Sequence, residues 1–278
     1  MTKIVLVVLV ALAILIAVCV LFSGVLFWYE RANQDSKLLD QRFQLSRWSR
    51  ILKIYTLEYL VTLASLLIYP LGLQNSKYPQ RAKERPIVLL IHGLYLNRAS
   101  SFYLQKRLKQ GERHIITLNL PPWREVETLT ECIDRVVHTL RQDDFTGSID
   151  LVGHSLGGLI ARNYVQRRGG DKHIRRCITV GAPHFGSKLV PFSISKTARQ
   201  LAPDSLFIEQ LSQSEWPESV DFYSIFSPLD NIVLPPGRSK HPAACNIEIA
   251  NSGHVTLWYH TQTIRHLRQI LTNGKTHD

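Results

Sequence analysis

Ile149-Asp150-Leu151-Val152-Gly153-His154-Ser155-Leu156-Gly157-Gly158 is the stretch of this 278-residue chain that decides its fold. Residues 149–152 read as a short strand, and residues 156–168 as a helix closed by Gly169-Gly170. Between them lies a G-x-S-x-G turn in strand-turn-helix context. A chain that reverses so sharply strains its backbone at Ser155, so the positions two before and two after must lack bulk. Gly153 and Gly157 meet that need on either side of His154 and Leu156, and Gly158 eases contact between helix and sheet. The helix N-terminus that follows favours negative charge beside Ser155. Alone, an ordinary glycine-rich turn fits these residues as well, so the rest of the chain has to decide.

Outward from the turn, short apolar runs alternate with longer amphipathic stretches. Residues 87–91 are a buried strand by length and β-branched content, followed by the His92-Gly93 turn. Residues 100–109 read as a helix ended by Gly111, and 114–120 as the next strand. Residues 125–141 place Val126, Leu129, Ile133, Val136, Val137 and Leu140 on one helical face. Further strands are predicted over 174–180, 220–226 and 246–250, and a last helix over 256–271. This alternation predicts an α/β fold with a mostly parallel sheet covered by helices on both faces.

Four further segments agree with the turn. They are Ile87-Val88-Leu89-Leu90-Ile91-His92-Gly93-Leu94, Gly181-Ala182-Pro183-His184-Phe185-Gly186-Ser187, Ser227-Pro228-Leu229-Asp230-Asn231-Ile232-Val233 and Asn251-Ser252-Gly253-His254. Together they resemble the α/β-hydrolase superfamily, and within it the bacterial triacylglycerol lipases and their esterase relatives, over about residues 86–266. The resemblance implies the α/β-hydrolase fold without its first two strands, and a serine hydrolase that cleaves carboxylic esters. Such chemistry needs no cofactor and no metal.

Catalytic residues of this fold follow the order Ser, Asp or Glu, His. Ser155 is the nucleophile, Asp230 follows a predicted strand, and His254 follows the next. His254 would take the Ser155 proton and return it to the leaving alcohol, while Asp230 would fix the imidazole tautomer and steady its cation. Asp204 and Asp221 read as a solvated and a capping acid. His154 lies inside the elbow, His184 precedes the acid, His241 precedes the last strand, and His260 and His266 fall on the last helix. The oxyanion on the tetrahedral intermediate needs two backbone donors: the N–H of Leu156, and by the resemblance that of Leu94.

Residues 4–29 form an apolar run broken only by Ser23 and Gly24, and Trp28-Tyr29 stand at its end. About 20 apolar residues cross a bilayer, and the run is longer than a signal-peptide core, so it reads as an uncleaved transmembrane anchor. Residues 54–73 are a second candidate, with Glu58 near one end. They read as a second span, an interfacial helix or a helix packed on the catalytic domain. Arg31, Lys37, Arg42, Arg47, Arg50 and Lys53 lie between the two segments, against Lys3 ahead of them. With two spans this basic loop is cytoplasmic and the catalytic domain extracytoplasmic; with one, the domain is cytoplasmic. The two-span reading is preferred here, with the bacterial inner membrane as the expected location.

The organisation expected is therefore an anchor over 1–29, a basic juxtamembrane region over 30–85 and a catalytic domain over 86–278. Residues 187–217 are too long for a simple connection and read as an apolar lid, mobile rather than fixed. The net charge of +11 suits an anionic membrane surface, and no motif supports nucleic-acid binding. Cys19, Cys132, Cys177 and Cys245 show neither metal-ligand nor disulfide spacing and are expected as buried thiols. The function expected is a membrane-anchored hydrolase of lipid-like acyl esters. Acyl transfer by the same residues and a non-catalytic membrane scaffold are the alternatives. Oligomeric state is not legible.

Overall fold

A computed structural model describes residues 2–34, 45–74, 84–109, 113–142 and 145–273. Lys37, Arg42 and Gly111, used above as topology and helix-end signals, lie outside the described residues. Six strands make one sheet: β1 (Ile87–Ile91), β2 (His114–Leu118), β3 (Ile149–His154), β4 (Ile174–Val180), β5 (Asp221–Phe226) and β6 (Cys245–Glu248). Their order is β2-β1-β3-β4-β5-β6, and every neighbouring pair is parallel.

Strand β1 is apolar on both faces because helices cover both. On β1, Ile87, Leu89 and Ile91 join one core, with Ile133 and Val137 of α4 (Val126–Gln142) and Leu159 and Ile160 of α5 (Leu156–Arg167). Val88 and Leu90 join the other, with Leu104 of α3 (Phe102–Leu108), Leu257 and Trp258 of α8 (His254–Tyr259) and Leu267 of α9 (Thr261–Asn273). The period of two in β1 thus feeds two separate cores. All strands end at one edge, where open α/β sheets carry their sites. The helix expected over 256–271 is two helices, α8 and α9, because His260 between them is extended (φ −65°, ψ 137°).

Two N-terminal helices flank that edge, α1 (Thr2–Gln34) and α2 (Leu45–Leu67). Among the described residues, Lys3–Gln34 is the one helix long and apolar enough to cross a membrane. Ile16, Val20, Ser23 and Phe27 of α1 are nonetheless buried. Residues 54–73 form the end of α2 and the short turn Tyr69–Gly72, and α2 packs on the catalytic domain along one face. Ser65 meets the Tyr259 hydroxyl of α8 at 2.8 Å. Glu58 is 1% exposed and turned into the catalytic domain. Of the four thiols only Cys177 is fully buried; Cys19 and Cys245 are exposed, since each stands on an outward face.

Candidate active site

Ser155 sits between β3 and α5 with φ 52° and ψ −121°, a conformation that side chains rarely adopt. The glycines around it are there for space. A Cβ on Gly153 would lie 2.4 Å from the Gly157 carbonyl oxygen, and one on Gly157 would lie 2.5 Å from that of Ile91. The Ser155 N–H donates to the Val180 carbonyl at 2.9 Å and ties the elbow to the end of β4. Leu156 opens α5, so its N–H has no carbonyl one turn earlier to bond. The loop after β1 runs close by, since a Cβ on Gly93 would meet that of Ser155 at 3.2 Å. Leu94 follows directly.

His92 fixes that loop. Its Nε2 accepts from the Leu120 N–H at 2.9 Å, so the proton lies on Nδ1, which donates to the Gly93 carbonyl at 2.8 Å. Burial pushes its pKa down to about 4, opposed by the bond to Gly93, so the ring stays neutral. It is a brace between the ends of β1 and β2.

Asp230 and His254 meet at the same edge. His254 Nδ1 lies 2.7 Å from Asp230 Oδ2, and both residues are buried. The other carboxylate oxygen, Oδ1, accepts from the N–H groups of Ile232 at 2.8 Å and Val233 at 2.9 Å. Burial works to lower the His254 pKa, but the Asp230 carboxylate, its hydrogen bond and the Glu58 carboxylate outweigh it and hold the ring above its ordinary value. The His254 ring reaches the elbow, its centre 4.9 Å from that of His154, the residue before the serine.

The rival acids and histidines are elsewhere or otherwise occupied. Asp204 is exposed. Asp221 lies 3.7 Å from Arg176 at the start of β5. His184 Nε2 meets Thr179 Oγ1 at 3.0 Å inside the core, and burial drives its pKa well down. His241 stacks on Phe185, and His260 marks the break between α8 and α9. His154 is buried, its Nε2 held 3.0 Å from the His254 carbonyl, and burial pushes its pKa to about 3. It packs beside the site as a neutral ring.

Three residues at the site escaped sequence reasoning. Glu58 of α2 accepts from the N–H of Val255 at 2.6 Å and from the N–H and hydroxyl of Thr256 at 2.9 and 2.8 Å. Asn231 Oδ1 accepts from the His254 N–H at 3.2 Å, and Asn231 Nδ2 donates to Ser23 Oγ of α1 at 2.7 Å. The signal was present in part, since Ser23-Gly24 alone interrupts the first apolar run and Glu58 stands in the second.

The segment 187–217 divides. Thr197, Ala198, Leu201, Phe207, Ile208 and Leu211, on or beside α6 (Lys196–Arg199) and α7 (Leu206–Gln213), are buried. That half packs into the core. Phe192 and Ile194 remain exposed, and the Phe192 ring lies edge-on to Phe22 of α1 at 5.1 Å.

Known proteins share this fold. A family profile described as palmitoyl protein thioesterase matches residues 87–224, from β1 into β5. Over 123 residues, 42% of this chain, the sequence is 29% identical to a GPI inositol-deacylase of Candida albicans. The chain spans 26% of the length of that relative. A mature lipase of Bacillus licheniformis superposes with a TM-score of 0.60 at 15% identity, over 72% of this chain and 96% of the other. Lipase B of Aspergillus fumigatus gives 0.60 at 16%, over 73% and 56%. An α/β hydrolase fold protein from Burkholderia ambifaria gives 0.52 at 12%, over 69% and 92%. At these identities the structural likenesses establish the fold.

Proposed function

Because this chain has the α/β-hydrolase fold and matches a palmitoyl protein thioesterase profile over residues 87–224, we propose that it is a membrane-anchored ester hydrolase in which Ser155 attacks lipid-like acyl esters. The observation that carries the reading is the buried Asp230–His254 pair, 2.7 Å apart, brought to the strained Ser155 elbow. The Ser155 oxygen adds to the acyl carbonyl carbon while His254 accepts its proton. The oxyanion accepts from the N–H groups of Leu156 and Leu94. Collapse breaks the ester bond, and the departing alcohol takes the proton from His254. Water then repeats the sequence on the acyl-enzyme, releasing the acid and restoring Ser155. Asp230 keeps its charge throughout and steadies the imidazolium.

Helix geometry supports a substrate drawn from a membrane. A hydrocarbon core about 30 Å thick needs about 20 helical residues. Only residues 4–15 of α1 precede its first buried position, Ile16, and they reach about 18 Å. A crossing must also take in the part of α1 that packs on the catalytic domain. This brings the neighbouring apolar side chains, Leu57, Leu60 and Leu67 of α2 and Phe192 and Ile194 of the cover, to the bilayer surface. Ester carbonyls of lipids lie at that depth. The two relatives known by name act, as those names say, on a palmitoyl group and on an acylated inositol, and an acyl chain is what they share.

The test is release of free fatty acid from vesicles containing a long-chain acyl ester, with the full chain reconstituted. Release by the wild type and none by Ser155→Ala supports the reading; equal release by both overturns it.

A further inference from the structure

We propose that Glu58 is a positioning residue for His254, so that the N-terminal helix pair is a working part of the active site as well as a tether. The inference rests on the roles of Ser155, His254 and Asp230 given above. It starts from a deficit in α8. A helix leaves its first four N–H groups without partners, and a side chain at the N-cap normally answers one of them. The N-cap of α8 is Gly253, which has no side chain to offer. Glu58 supplies the missing acceptor from 197 positions away, with Oε1 to Val255 and Oε2 to Thr256. Three donors face this carboxylate and favour its charged form, against a burial that by itself raises the pKa.

The glycine and the glutamate fit each other. A Cβ at position 253 would lie 2.5 Å from Glu58 Oε2, so the loop leaves room for an acid borne by another element. A serine at 253 would cap the helix with no buried charge. Burying a carboxylate is costly unless it is fully bonded, so a cap alone does not account for Glu58. What Glu58 adds is a fixed negative charge and a fixed backbone one and two residues after the imidazole.

A second tether holds the other side. Asn231, directly after Asp230, takes the His254 N–H and passes to Ser23 of α1, whose hydroxyl donates to Val20. Ser23 and Gly24 are the two non-apolar residues of the run 4–29; Ser23 faces the catalytic domain and Gly24 faces α2. Gly24 admits the Tyr55 ring, 3.0 Å from where its Cβ would be, one turn before Glu58 on α2. The short bond between His254 and Asp230 is therefore gripped by α1 on one side and α2 on the other. The ionisable groups around the ring are Asp230 from the loop after β5, Glu58 from α2 and His154 from β3, and Tyr55 of α2 lies near Glu58 and Asp230.

The experiment uses the full chain in vesicles and a fluorophosphonate, whose labelling rate reports Ser155 and His254 without assuming an acyl substrate. Glu58→Ala should label about 10- to 100-fold more slowly than wild type, the effect of a misplaced catalytic group. With a soluble acyl ester, kcat should fall while KM holds, because Glu58 touches no substrate. Glu58→Gln keeps the shape and removes the charge. Its acid limb of labelling against pH should move to lower pH, since a neighbouring anion no longer favours the imidazolium. An acid limb and rate unchanged in Glu58→Gln would overturn the inference, even if Glu58→Ala fails to fold. A wild type that does not label would overturn the hydrolase reading and this one with it.

Discussion

At the scale of single residues, Asp230 does two things with two oxygens. Oδ1 is spent on the Ile232 and Val233 amides, which leaves Oδ2 aimed at His254 Nδ1. Asp230→Asn should keep the fold and lose the tautomer, with kcat falling by about 10³–10⁴ in steady-state hydrolysis. The same carboxylate sets the pH response. In the proposed mechanism activity requires neutral His254, and its raised pKa means protonation sets in sooner as pH falls. The acid limb of kcat/KM in the wild type should therefore stand above the ordinary imidazole value of 6.5. A limb below it would mean that the Asp230 charge does not reach the ring. Ser155, Asp230 and His254 were legible in the sequence because elbow, acid loop and histidine loop follow in fixed order along the chain. Glu58 was not, because its partners lie 197 and 198 positions away and its neighbours in sequence read as membrane.

At the scale of elements, the β/α alternation was legible because two apolar periods, two and 3.6, are written locally in each segment. The elbow is the strictest of them. Gly157→Ala would press a methyl group against the Ile91 carbonyl at 2.5 Å, with the His92 carbonyl at 2.6 Å. Overpacking of this kind should destabilise by about 1–3 kcal/mol, read as a lowered denaturation midpoint, and should slow labelling of Ser155. The break between α8 and α9 was not legible. The start of α8 depends on an acceptor from α2, and an amphipathic pattern running across His260 hides the extended residue. The division of residues 187–217 was not legible for a related reason. Apolar residues such as Phe207 and Leu211 look alike in sequence whether they face a substrate or complete a core, and here they complete the core.

At the scale of the whole molecule, the proposed anchor and a packing role on the domain fall on one helix. Its first half is exposed along Ile4, Leu6, Ile14 and Leu15, while Ile16, Val20 and Ser23 in its second half belong to the protein. A charge in the exposed half should weaken insertion and leave the site intact. Ile14→Lys, near the middle of the apolar run, carries a penalty of about 2.5–3.5 kcal/mol by insertion scales. It should shift the protein toward the carbonate-soluble fraction while its reactivity with a soluble ester holds. Retention identical to wild type would argue that the helix lies on the domain rather than in the bilayer. The central claim is that Ser155 is an activated nucleophile, and the most direct measurement is peptide mass after fluorophosphonate treatment of the full chain. The account expects one adduct, on the peptide containing Ser155, absent from both Ser155→Ala and acid-treated protein. An adduct on any other residue, or none on the native wild type, would contradict it.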